Sequence, residues 1–145
     1  MSNNNIPSKP RQLFVNMAVK DLRRSMDFFT ELGFEWNLDF TDENAACMLI
    51  GRDSFAMLLQ ENYFSTFTSQ KICDTGSSSE VLLAVSCDSR EEVDGMVATA
   101  LEHGAVEATA AKDMGFMYVR TFYDLDRHHW EVMHMDMDAA MEQQG

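Results

Sequence analysis

The chain is 145 residues long, the length of one ordinary domain, and 46% of it is apolar, enough to bury a core without staples. Its formal net charge of −13 argues against nucleic acid, which needs a basic face, and no run of about 18 apolar residues exists to span a membrane. Cys47, Cys73 and Cys87 are scattered with no CxxC pair, which excludes a disulfide framework and a zinc knuckle and leaves Cys47 and Cys87 as small core residues.

Residues 1–10 are polar and carry Pro7 and Pro10, without the charged-then-apolar layout of a secretory signal. A disordered tail and a cytoplasmic location are expected. Arg11 to Val19 then reads as a strand, with Leu13, Val15, Met17 and Val19 on one face and Phe14, Asn16 and Ala18 on the other. Asp21 opens a helix over Leu22 to Leu32, with Leu22, Met26, Phe29 and Leu32 at helical spacing and Gly33 as its stop. Three extended pieces follow, Phe34 to Phe40, Ala45 to Gly51 and Ser54 to Gln60. Glu61 to Ser79 reads as a flexible connector that ends in Thr75-Gly76-Ser77-Ser78-Ser79.

The second half repeats this order. Glu80 to Cys87 is a strand, and Ser89-Arg90-Glu91-Glu92 is a capping box that starts a helix closed by Gly104. Ala105 to Ala110, Phe116 to Tyr123 and His128 to Met135 are again extended. One face of each first strand is wholly apolar, as under a helix. The other is mixed, Phe14-Asn16-Ala18 and Leu82-Ala84-Ser86, which suits either a ligand-lined cavity or a half-exposed sheet. The 12 methionines, several of them between Met114 and Met137, read as core filling, with a pocket wall or dimer seam as the alternative. Residues 136–145 form a short C-terminal tail. The expected organisation is one α+β domain over 11–135, made of modules 11–60 and 80–135 joined by the connector 61–79.

Two stretches resemble a known family. Val19-Lys20-Asp21-Leu22-Arg23-Arg24-Ser25-Met26-Asp27-Phe28-Phe29, running into Leu32-Gly33-Phe34, resembles the opening of a vicinal oxygen chelate module. Asp124-Leu125-Asp126-Arg127-His128-His129-Trp130-Glu131 is similar to that superfamily's Asp-Pro-Asp-Gly turn before a glutamate in the last strand, with Leu125 in place of proline and Arg127 in place of glycine. The superfamily includes glyoxalase I, extradiol dioxygenases and the bleomycin- and fosfomycin-resistance proteins. The resemblance implies two βαβββ modules whose strands form a cupped mixed sheet, completed in a homodimer.

It also implies where a metal would sit. Metal-using members take one ligand from the first and last strand of each module, and those positions fall here at Phe14, Leu58, Leu82 and Glu131. Only Glu131 has a lone pair to give, and one carboxylate cannot hold a catalytic divalent ion. No metal and no other cofactor is therefore expected. The cup would be apolar, with Phe14, Leu58 and Leu82 as lining, Asn16, Gln60, Tyr118, Arg120 and His129 as polar or charged groups, and Met133 beside His129 and Glu131. Trp36, Phe40, Phe64, Phe67 and Phe116 are candidate aromatic walls or core.

Three functions stay open at this point. The cup binds a small, partly apolar or cationic molecule without metal, as bleomycin-resistance proteins do. Alternatively, the chain is a glyoxalase-superfamily lyase, isomerase or dioxygenase, with a desolvated Glu131 as general base or acid, or as the remaining metal ligand. In the third reading the cup is filled by its own side chains, and the domain is regulatory. Partners are a small molecule and a second copy, with no nucleic acid and no membrane.

Overall fold

Helix α1 (Leu22–Glu31) starts where Asp21 leaves extended geometry and its carboxylate accepts from the Arg24 amide. The helix follows strand β1 (Leu13–Val19) and ends before Gly33, whose φ of +100° turns the chain out of the helix. Helix α3 (Arg90–Glu102) begins at the expected capping box. Ser89 accepts from the Glu92 amide, and the Glu92 carboxylate accepts from the Asp88 amide, one residue upstream of the usual partner. A computed structural model of the chain describes residues 7–136 and Asp138. Residues 1–6, 137 and 139–145, which hold parts of the expected tails, lie outside the described residues. Residues 7–12 are exposed and form neither helix nor strand.

The first module continues with β2 (Glu35–Asn37), β3 (Ala45–Leu49) and β4 (Ser54–Gln60), in a four-stranded sheet of order β1-β4-β3-β2. The second has β5 (Leu82–Ser86), β6 (Val106–Glu107), β7 (Lys112–Asp113), β8 (Met117–Tyr123) and β9 (His129–Met135). Its order is β5-β9-β8-β6, with β7 also on β8. In both sheets the first and last strands run parallel, β1 with β4 and β5 with β9. The duplicated plan expected from the sequence is therefore present, as two mixed sheets rather than one continuous ladder.

Both sheets turn their helix-covered faces to one core. Met17, Ala46 and Leu58 come from the first sheet, Phe122, Trp130 and Val132 from the second, and Phe28, Phe29, Val93 and Val97 from α1 and α3. Helix α1 joins them, with Phe29 centred 5.3 Å from Trp130 and Phe28 6.1 Å from Phe122. Each fully buried side chain of this size contributes roughly 1.5–3 kcal/mol.

Three local expectations change. The piece over 34–40 is a strand only for Glu35–Asn37, because the Asn37 side chain accepts from the Asp39 amide and turns Leu38–Phe40 into a 3-10 turn. The connector is not all coil. It opens with helix α2 (Glu61–Phe64) and a 3-10 turn, Ser65–Phe67. Strand β7 was not expected.

Candidate functional site

Strand register decides which side chains share a face. Phe14 pairs with Phe55, Asn16 with Met57 and Ala18 with Leu59, so these six line the face away from the helix. Phe14 stacks on Phe55 at 4.7 Å, yet keeps 45% of its surface exposed. Below them a cavity of about 520 Å³ is bounded by Asn16, Leu59, Phe64, Phe67 and Thr68. The aromatic walls come from α2 and the turn after it, which fold back over the sheet.

Leu58 and Gln60 do not join this group. They pair with Met17 and Val19, on the opposite face, where Leu58 is fully buried in the core and Gln60 Oε1 accepts from the Leu22 amide. A register shift of one residue exchanges the faces, and the expected lining was one residue off. Met57 and Leu59 hold the places expected for Leu58 and Gln60.

In the second sheet Leu82, Ala84 and Ser86 pair with His129, Glu131 and Met133, so all six share the face away from α3. Leu82 is 56% exposed. Glu131 is half-buried, and its carboxylate makes no hydrogen bond or ion pair among the described residues. Tyr118 and Arg120 lie on the other face, beneath α3. Tyr118 Oη donates to Asp94 Oδ1 at 2.6 Å, and Arg120 donates to Asp94 at 3.2 Å and Glu107 at 3.1 Å. These bonds lower the Asp94 pKa from its ordinary value, the Tyr118 hydroxyl first among the causes. Tyr118 and Arg120 thus clamp α3 to its sheet, and neither meets Glu131.

The turn between β8 and β9 is a polar hub. Asp124 is buried, and its carboxylate accepts from the amides of Asp126 and His128 and from Trp130 Nε1, each at 2.9 Å. Asp126 reaches across to the first module, accepting from the Lys20 amide and from Ser25 Oγ, both at 3.0 Å. The two stretches that carry the family resemblance are therefore in contact. His128 is also buried. Its Nε2 donates to the Ala18 carbonyl at 2.7 Å, and its Nδ1 lies 2.8 Å from Glu80 Oε1 without the alignment of a hydrogen bond, a contact that is chiefly electrostatic. Burial works to lower the His128 pKa, but Asp124, the Ala18 carbonyl, Glu80 and Asp126 together raise it above its ordinary value. Burial alone raises that of Asp124.

The residues present do not fit a metal of the family kind. Phe14, Leu82 and the two residues in the expected place of Leu58, Met57 and Leu59, offer no nitrogen or oxygen donor, and no three His, Cys, Asp or Glu side chains among the described residues could hold an ion together. No helix among them is long and apolar enough to cross a membrane.

Residues 11–51 match the family model for the bleomycin resistance protein-like N-terminal region. No curated protein is significantly similar to the sequence. Among solved structures, hypothetical protein SA1046 from S. aureus is 25% identical with a TM-score of 0.72, over 89% of this chain and 94% of that one. A glyoxalase/bleomycin resistance protein/dioxygenase family enzyme from Burkholderia phytofirmans is 18% identical with a TM-score of 0.70, over 84% and 96%. The fosfomycin resistance protein FosX from Listeria monocytogenes, solved with Mn(II) and sulfate, is 17% identical with a TM-score of 0.66, over 97% and 100%. The resemblance seen in the opening and closing motifs thus extends to the whole architecture, and the chain has the glyoxalase/bleomycin-resistance fold.

Proposed function

We propose that the chain binds a small, partly apolar organic molecule without a metal, and does so as a homodimer. The observation that carries this reading is the cavity of about 520 Å³ under β1, with Leu59, Phe64 and Phe67 as apolar walls and Asn16 and Thr68 as polar groups. Its size is within the range of small-molecule pockets, and a few polar groups among aromatic walls are what orient such a ligand. The lack of nitrogen or oxygen donors at Phe14, Met57, Leu59 and Leu82 on the outer sheet faces favours binding over the superfamily's metal chemistry.

A thermal-shift screen of metabolites and antibiotics tests it. Ligands that raise the melting temperature of the wild type should bind Phe67→Ala about tenfold more weakly. Phe67 is 66% exposed, so its truncation leaves the core alone. A broad panel with no ligand would remove the support for binding. Elemental analysis after growth with nickel, zinc, manganese and iron supplied is the companion experiment. One metal per chain, lost in Glu131→Ala, would bring metal-dependent chemistry to the front.

A second reading is favoured by Glu131 itself. Its half-buried, unpaired carboxylate shares a face with His129 and Met133, as a general base would require. Turnover unchanged in Glu131→Gln would dispose of this reading.

A further inference from the structure

A second cavity, of about 650 Å³, lies on the helix-covered side of the first sheet, between α1 and the connection from β2 to β3. It shares no residue with the cavity under β1. Trp36 and Met26 give it an apolar wall, and Asp21, which caps α1, lines it together with Asp27, Asp42 and Glu43. Trp36 pairs with Met48, which turns it toward α1, and its indole N–H donates to Thr30 Oγ1 at 2.9 Å. With that edge occupied, what Trp36 offers a ligand is its π surface, negative over the ring.

The carboxylates differ in how far they are engaged. Asp42 Oδ1 accepts from the amides of Asn44 and Ala45, at 2.8 and 3.0 Å. The carboxylates of Asp27 and Glu43 make no hydrogen bond or ion pair among the described residues, and both residues are exposed. The cation on this lining is Arg23, also without an ion pair among the described residues.

We infer that this cavity binds a small organic cation with an apolar body, an alkyl- or arylammonium ion, its charge set between Trp36 and the Asp27 and Glu43 carboxylates. An anion would meet carboxylates that outnumber Arg23, and a neutral ligand would gain nothing from them. A bare metal ion is the poorer fit, because no three donors converge tightly enough to replace its water. A bulky ammonium ion needs only a π surface and diffuse negative charge, which is what this lining supplies.

Choline and benzyltrimethylammonium chloride, titrated into the full chain at low salt, test the proposal by calorimetry and tryptophan emission. Of the two tryptophans Trp130 is 1% exposed, so an emission change reports Trp36. Saturable binding is expected. It should weaken about fivefold to tenfold in Asp27→Asn/Glu43→Gln and fall with added salt. Arg23→Gln should tighten it, and Phe67→Ala should leave it unchanged. Besides loss in Phe67→Ala, three results would overturn the proposal. One is no saturable signal from either ion up to about 10 mM. The others are equal binding of 3,3-dimethylbutan-1-ol, the neutral isostere of choline, and weaker binding in Arg23→Gln. Loss in Phe67→Ala instead would place the cation in the cavity under β1 and refute this site without touching that one.

Discussion

Arg127 stands where related turns have glycine, and the backbone keeps the glycine-like form, with φ at +62°. A side chain in that region costs about 1 kcal/mol relative to glycine. Part of the cost is offset because the guanidinium stacks on the Tyr123 ring at 4.4 Å from its centroid. Arg127→Ala keeps the strain and loses the stacking, whereas Arg127→Gly loses both. Chemical denaturation should therefore find Arg127→Gly more stable than Arg127→Ala by about 1 kcal/mol. Equal stabilities would show that the turn relaxes when the arginine is absent.

His128, one residue on, gives a dependence on pH. Its folded pKa is raised above the unfolded value, so its stabilising effect is complete below about pH 6.5 and is lost as pH rises through the folded value. The buried Asp124, also raised, acts in the same direction. The melting temperature should fall between pH 6 and pH 8.5, and the slope should flatten in His128→Asn. A melting temperature that climbs over this range in the wild type would mean that His128 is neutral when folded.

At the level of elements, the sequence disclosed most where periodicity and capping agreed. Asp21 and Ser89 cap helices that start at Leu22 and Arg90, and Gly33 and Gly104 end them with positive φ. Strand β1 showed its two faces plainly, because Asn16 interrupts the outer one. Strand β4 did not. Phe55, Ala56, Met57, Leu58 and Leu59 are apolar without a break, since one face meets the core and the other a cavity lining, and alternation vanishes. Alternation therefore does not give the side of Leu58 and Gln60, which their pairing with Met17 and Val19 fixes. The face of Tyr118 and Arg120 is hidden in the sequence for another reason. Their partner Asp94 sits on α3, and polar side chains beneath a helix look, in sequence, like polar side chains facing solvent. Phe64 and Phe67 were visible as aromatics, but the fold of α2 that brings them over Asn16 depends on tertiary contact, which local propensity does not encode.

On the scale of the molecule, β1 and β5 each end a sheet with an edge that is unpaired among the described residues, and both edges are greasy. Leu13 and Phe14 are 62% and 45% exposed, and Val81 and Leu82 are 46% and 56% exposed. Bare edges of this kind invite pairing with another chain. The proposed homodimer would cover them and set Glu131 and His129 of one copy near a neighbouring surface. Analytical ultracentrifugation should find a dimer for the wild type and a folded monomer for Leu82→Lys. A wild type that sediments as a monomer at micromolar concentration would end the dimer proposal.

The contact of Asp126 with Lys20 and Ser25 spans 106 and 101 residues. During synthesis the ribosome adds about 5–20 residues per second, so the opening of α1 waits roughly 5–20 s for the carboxylate that completes it. Throughout that interval the nascent first half keeps Phe28 and Phe29 without Trp130 and Phe122 to cover them. Until the turn between β8 and β9 emerges, those two rings have only each other and Phe34 as aromatic partners, so the first module meets its core late.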